Sequence, residues 1–243
     1  MKLRTFLHKS GVGSRRFCDR VIREGKVTVN NVVVKEPWFE VDPSKDEIKL
    51  SGEKISYKKY KYVTFAFYKP VGVSSTLNDK FAEKTIVDYI KDTEVRVFPV
   101  GRLDRESEGL MILTNNGQLA NFLTHPRYQI EKEYIVHVEG KKINRDVLKK
   151  LTKGVYTDHM FLRPHKVQLL YSMGKHGVFR IVLREGKKRE IRRIFKKLGF
   201  NVTKLKRIRI GDYFMPPNLK PGEKIKLSRK DIQKLTRTRK FKS

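Results

Sequence analysis

The residues best suited to chemistry lie in one short block, Gly101-Arg102-Leu103-Asp104-Arg105-Glu106-Ser107-Glu108-Gly109-Leu110. It sits between two apolar runs that read as strands, and the flanking glycines let backbone or ligand approach closely. Asp104 therefore falls in a strand-to-strand connection, where a rigid scaffold can hold a reactive carboxylate. Equally open at this level is a surface loop whose aspartate bonds to its own backbone. A second block, Arg184-Glu185-Gly186-Lys187-Lys188-Arg189-Glu190-Ile191-Arg192-Arg193-Ile194-Phe195-Lys196-Lys197-Leu198-Gly199, places Ile191, Ile194, Phe195 and Leu198 on one helical stripe. The remaining face carries Arg189, Arg192, Arg193, Lys196 and Lys197. That face is either a solvated basic surface or a phosphate-tracking one with a single arginine paired to a catalytic carboxylate.

Other chemistries find little support. The histidines at 8, 125, 137, 159, 165 and 176 show no metal-ligand spacing, and no Gly-x-Ser-x-Gly turn is present. Gly11-Val12-Gly13 follows no strand and precedes no phosphate-loop lysine, so it reads as a turn between helices. One cysteine, Cys18, excludes an internal disulfide framework and a multi-cysteine zinc site.

The elements around these blocks set their position. From residue 63 onward, strand-like runs at 63–68, 95–100, 111–114, 134–138, 179–183 and 202–208 mix with helical patterns at 85–90, 119–123, 145–151, 188–198 and 231–235. The two do not alternate regularly, which predicts an α+β domain with a mixed, mainly antiparallel sheet rather than a doubly wound one. Ahead of it, Leu3, Phe6 and Leu7 share a helical face, and Ser14 caps a second helix burying Phe17, Val21 and Ile22. Gly25 stops that helix. Val27 and Val29 then turn through Asn30-Asn31 to Val32 and Val34, completing a small helix–helix–hairpin module. Lys9, Arg15, Arg16, Arg20, Arg23 and Lys26 are left on its outside. Residues 57–62 read as a basic linker whose tyrosines either stack on bases or cover a domain junction, the second being the plainer reading. Residues 237–242 form a basic tail.

Across 243 residues, 56 Lys+Arg against 26 Asp+Glu leave a net charge of +30. A 38% hydrophobic content still supplies a core, so a folded polyanion-binding protein is expected rather than a disordered one. The cations spread along the whole chain, favouring nucleic acid over a membrane surface. The polar start is no signal peptide, and no apolar run approaches the roughly 20 residues of a membrane span. A soluble cytoplasmic protein is expected.

The turn, helix, glycine stop and hairpin of residues 1–60 resemble the S4 RNA-binding domain. Residues 61–243 resemble the catalytic domain of the RsuA/RluB/RluE/RluF branch of ribosomal RNA pseudouridine synthases. Four blocks carry that second likeness: Lys69-Pro70-Val71-Gly72; residues 101–110; Glu131-Lys132-Glu133-Tyr134; and residues 185–199 running on to Leu205-Lys206-Arg207-Ile208-Arg209-Ile210-Gly211. The resemblance implies that Asp104 is the nucleophile, Tyr134 the ring stacking on the target base, and Arg192 the basic partner of the aspartate. Leu205 then lines the pocket, and Arg102, Leu103, Arg189 and Arg193 complete the substrate-binding set. Lys69 belongs to a block that supports the active-site loop, and is a weak site candidate. In the S4-like module, Arg15, Arg16, Arg20 and Lys26 would meet RNA. The implied reaction, uridine to pseudouridine, needs no metal and no cofactor. The implied partner is ribosomal RNA, met by a monomer. Val71-Gly72-Val73-Ser74-Ser75-Thr76 and Val97-Phe98-Pro99 look more like large-subunit (23S) members than small-subunit (16S) ones. The rival from another class is a non-catalytic ribosome-assembly factor, which has no use for Asp104. A nuclease is disfavoured by the lack of clustered carboxylates or histidines.

Overall fold

A computed structural model describes residues 1–57, 61–77, 83–157 and 160–236. Half of the basic linker (58–60), His159 and the tail at 237–242 lie outside the described residues. The chain divides into two compact units, Met1–Lys61 and Tyr62–Ser243.

In the first unit, α1 (Leu3–Lys9) and α2 (Arg15–Arg23) precede β1 (Val27–Val29), β2 (Val32–Val33), β3 (Ile48–Leu50) and β4 (Glu53–Lys54). Ser14 caps α2 as expected, its Oγ accepting the Phe17 N–H at 3.2 Å. Asn30 and Asn31 both take positive φ, 51° and 66°, which a tight hairpin turn between β1 and β2 requires. The strands form an antiparallel sheet in the order β2-β1-β3-β4. The β3–β4 hairpin, turned through Ser51 and Gly52 at positive φ, adds to the expected module. One inward position differs. Cys18 is fully buried with Val21 and Ile22, while Phe17 is only partly buried at the edge of the core. Tyr57, the first residue of the expected linker, stacks on Phe6 at 5.6 Å between ring centroids.

The second unit runs β5 (Thr64–Lys69), β6 (Phe98–Val100), β7 (Glu108–Thr114), α3 (Gly117–Thr124), β8 (Lys132–Gly140), α4 (Arg145–Lys153), β9 (Val155–Thr157), β10 (Met160–Leu162), β11 (Lys166–Met173), β12 (His176–Leu183), α5 (Glu190–Lys197), β13 (Phe200–Ile210), β14 (Tyr213–Phe214), β15 (Lys224–Lys226) and α6 (Arg229–Thr236). Among the described residues a nine-stranded sheet follows the path β11-β12-β8-β13-β7-β5-β15, with β6 on β7 and β14 on β13. Its pairings are antiparallel except β13 with β7, so the expected mixed, mainly antiparallel α+β domain is found.

Both faces of the centre are covered. Along β7, Met111 and Leu113 enter one core with Phe67, Phe179, Ile194 and Phe195, while Leu110 and Ile112 enter another with Leu119, Phe122 and Leu235. Alternation along a strand buried on both sides gives β7 its unbroken apolar run. The expected helix at 85–90 is a single 3₁₀ turn, Ile86–Tyr89. The one expected from 188 starts at Glu190, because Arg189 sits at φ 52° as its cap.

Candidate active site

Asp104 lies partly buried in the connection from β6 to β7. Its carbonyl accepts the Ser107 N–H at 3.0 Å, closing a turn over Arg105 and Glu106. Gly101 enters the connection at φ 75°. Gly109, at φ 106°, presses against β13: a Cβ there would meet the Arg207 carbonyl oxygen at 2.3 Å, so no larger residue fits.

The segment after β5 braces this connection at two places. The Gly72 N–H donates to the Arg105 carbonyl at 2.8 Å, and Arg105 Nε returns a bond to the Gly72 carbonyl at 3.1 Å. Ser75 Oγ donates to the Leu103 carbonyl at 2.6 Å and accepts the Leu103 N–H at 3.0 Å. Asp104 is thus held from both sides by backbone rather than by its own carboxylate, which stays available. Beneath it, Lys69 is fully buried, with Nζ donating to the carbonyls of Pro70 at 2.8 Å, Ser107 at 2.7 Å and Arg105 at 3.5 Å. Burial pushes the Lys69 ammonium down to about 8, and the Arg207 charge adds to this; Asp104 and Glu108 oppose it.

Arg192 comes to the same corner from α5. Its Nη2 donates to the Glu106 carbonyl at 3.1 Å and its Nη1 to the Val202 carbonyl at 2.9 Å, while Nε lies 3.7 Å from the Glu106 carboxylate. These contacts differ from the expected pairing. Arg192 grips the loop two residues beyond Asp104 and feels the aspartate through space, as one of the charges acting on its guanidinium. Arg189 joins the same carboxylate, 2.6 Å from Glu106. Arg193 turns elsewhere, reaching the Thr157 carbonyl at 3.4 Å and Met160 Sδ at 3.5 Å. Arg102 is exposed.

Tyr134 is buried on β8, in one core cluster with Leu103 and Leu205. Alternation explains its motif. Glu131 and Glu133 face Arg209, at 3.2 and 2.7 Å, pinning β8 to β13 from the other side of the strand. In the register, Tyr134 opposes Arg207 and Val136 opposes Leu205. The structure therefore brings Arg189 and Arg192 onto the loop that carries Asp104, buries Leu103, Tyr134 and Leu205 in one core, and sends Arg193 to the β9–β10 hairpin.

Sequence patterning does not single out Arg207. It is 3% exposed, its Nε donates to the Leu110 carbonyl at 2.6 Å, and its buried Nη2 has no hydrogen-bond partner among the described residues. Its place in the Leu-Lys-Arg run beside Leu205 was the available signal. Glu108, which faces Lys206 in the register, accepts from Tyr68 Oη at 2.8 Å and pairs with Lys204 at 3.2 Å.

In the first unit, Arg15, Arg16 and Arg20 lie along α2, and Ser14, Arg16, Phe17 and Arg20 line a shallow depression. Arg20 stands over the Phe17 ring at 5.2 Å, and Lys26 pairs with Glu24 at 2.7 Å. Among the described residues no group of His, Cys, Asp or Glu is arranged to hold a metal ion, and no helix is long and apolar enough to cross a membrane.

Comparison with known proteins matches residues 63–197 to the RNA pseudouridylate synthase family and residues 1–48 to the S4 domain. An uncharacterised RNA pseudouridine synthase of Aquifex aeolicus is 36% identical over 97% of this chain and 93% of its own length. Ribosomal large subunit pseudouridine synthase B of Bacillus subtilis is 38% identical over 85% of this chain and 84% of its own. A solved pseudouridylate synthase, 24% identical, superposes with a TM-score of 0.68 over 97% of this chain and 99% of the other, sharing the fold.

Proposed function

The chain belongs to the RNA pseudouridylate synthase family, and on that footing we propose that it converts a uridine of ribosomal RNA to pseudouridine, in the large subunit, with Asp104 as the catalytic carboxylate. The large-subunit assignment is supported by its likeness to the Bacillus subtilis large-subunit enzyme. The observation that carries the role of Asp104 is its setting: a partly buried carboxylate in a loop whose backbone groups are held by the side chains of Ser75, Arg105 and Arg192, with its neighbour Leu103 in the same core as Tyr134 and Leu205.

In the reaction the C1′–N1 glycosidic bond of the uridine breaks, the uracil turns, a C1′–C5 bond forms, the C5 proton leaves and N1 takes up a proton, so that product and substrate are isomers. A stacked base is out of reach, so it is first extruded, at a cost of a few kcal/mol that phosphate contacts elsewhere offset. Tyr134 supplies the face on which the extruded uracil rests, worth about 1–3 kcal/mol. Leu103 and Leu205 keep that pocket apolar. Asp104 divides the hard glycosidic step into two easier ones. Arg192 and Arg189 keep positive charge on the loop that carries it, through the Glu106 carbonyl and carboxylate. Arg102 and the arginines of α2, with Lys26, meet phosphates. The enzyme works as a cytoplasmic monomer.

The decisive experiment is to map pseudouridines in ribosomal RNA from cells lacking this chain, and to restore the missing one with purified protein on the unmodified transcript. Loss and restoration at one large-subunit uridine is expected. A small-subunit position would overturn the subunit assignment, and an unchanged map with no restoration would overturn the function.

A further inference from the structure

Strands β9 and β10 make a two-stranded hairpin in which Tyr156 opposes Phe161 and Val155 opposes Leu162. With a period of two, such a hairpin has two faces. One is sealed: Leu162 is fully buried and Val155 packs against the same core as Tyr134. The other holds two aromatic rings in water, Tyr156 at 74% exposure and Phe161 at 43%, with centroids 5.1 Å apart. The seat of Phe161 is set by a missing side chain. Gly154 has φ 93°, and a Cβ there would meet Phe161 Cζ at 2.5 Å and the Leu162 carbonyl at 2.9 Å.

Two guanidiniums bond backbone carbonyls at the hairpin. Arg163 Nε donates to the Thr152 carbonyl at 3.2 Å, and Arg193 Nη2 to the Thr157 carbonyl at 3.4 Å. Arg193 follows directly on Arg192, whose side chain grips the Asp104 loop. The hairpin is therefore tied, through one step along α5, to the loop that carries Asp104.

We propose that Tyr156 and Phe161 form a stacking platform for an unpaired base of the RNA substrate near the target uridine, with Arg163, next but one to Phe161 on the same face, taking the adjoining phosphate. This rests on the reading of the chain as an enzyme acting on RNA. Every base offers a π-face to an aromatic ring, and a polynucleotide carries phosphate beside each base, so one ligand satisfies both rings and the Arg163 cation. A protein partner would have to supply an apolar surface and a matching carboxylate. A strongly basic chain of net charge +30 selects the polyanion.

The test uses the full chain with Tyr156→Ala and Phe161→Ala, alone and together, and Tyr156→Phe. Affinity for a short single-stranded oligouridylate is measured across a salt series. KM and kcat are measured by tritium release from C5-labelled large-subunit rRNA transcript. Losing one stacked base, about 1–3 kcal/mol, raises Kd roughly 5- to 150-fold in the double variant. The salt slope stays unchanged because every phosphate keeps its cation, KM rises, kcat holds, and Tyr156→Phe behaves as wild type. Wild-type Kd and KM in a double variant of unchanged melting temperature would overturn the platform and leave the face to a protein partner. A flattened salt slope would overturn stacking as its means. If the wild-type chain released no tritium from any rRNA transcript, the proposed function would fall, while the oligouridylate measurement would still decide the platform.

Discussion

The corner around Asp104 and the arginine face of α2 both carry positive charge, yet they use it in opposite ways. At the corner the cations are buried and bound: Lys69 is fully enclosed by three carbonyls, and Arg192 spans from the loop to β13. Along α2 they are solvated, the Arg20 side chain being 64% exposed with its carboxylate neighbour 3.9 Å away. A buried cation loses hydration and is kept only where its geometry matters, whereas an exposed one gains little from any single partner and can follow a phosphate chain. Position is built at one end of the chain and attraction at the other.

Removing the charge that the corner positions should break this contrast most severely. Asp104→Asn keeps the shape of the loop, because backbone bonds hold it, and should lower turnover by at least about 10³-fold while leaving RNA affinity within a few-fold. Tritium release and binding on the same preparation check it. Retained turnover would make the corner a binding surface like α2. Tyr134 sharpens the same point. If its ring is the platform, Tyr134→Phe keeps most of the activity, and Tyr134→Ala loses a stack worth about 1–3 kcal/mol. Equal losses would assign the work to the hydroxyl.

Lys69 tests the burial side of the comparison. Its pKa lies at about 8 in the folded chain and near 10.5 unfolded. Below about pH 8 it is charged in both states, and the folded state bears the full cost of burial. Between about 8 and 10.5 only the unfolded state keeps the proton, so stability rises with pH, by roughly 3 kcal/mol over the interval. The stability of the wild type relative to Lys69→Met, from denaturant unfolding at stepped pH, should therefore climb through that window. Turnover should fall over the same range, since an uncharged amine has two hydrogens for three carbonyls. A flat stability difference would mean that the carbonyl cage fully offsets the burial.

The sequence carried the corner better than its surroundings. Asp104 was legible because glycines and apolar runs bracket it, whereas Tyr134 and Leu205, and Leu103 in the β6–β7 connection, were named only through the resemblance of their motifs to the family. The bracing could not be read. The bonds from Ser75 to Leu103 and from Gly72 to Arg105 join residues 28 and 33 positions apart, and no local pattern encodes such pairs. Arg192 was legible but its direct contacts were not, since a helical wheel gives a face and not the backbone carbonyls it meets. The strand β11 has no clear signature, because its exposed Leu170, Tyr171 and Met173 blur the alternation by which a half-buried strand is recognised. Cys18 takes the inward place on α2 that the pattern offers to the larger Phe17, a choice settled by packing in the small core.

The smallest expected effect lies on the α2 side, and it is the one that decides whether attraction and position are separable. Arg15, Arg16 and Arg20 lie outside the core of the first unit, so replacing all three with Ala should leave folding and kcat near wild type. What changes is the dependence of affinity on salt. Each phosphate that no longer meets a cation lowers the slope of log K against log salt by about 0.7–0.9, and costs only a few-fold in affinity near physiological salt. The triple variant should therefore bind rRNA transcript more weakly at low salt and converge on the wild type at high salt, with KM rising and kcat fixed. A fall in kcat would mean that α2 helps to seat the uridine at Asp104. An unchanged slope would remove these arginines from the RNA altogether and leave the catalytic unit to supply both attraction and position.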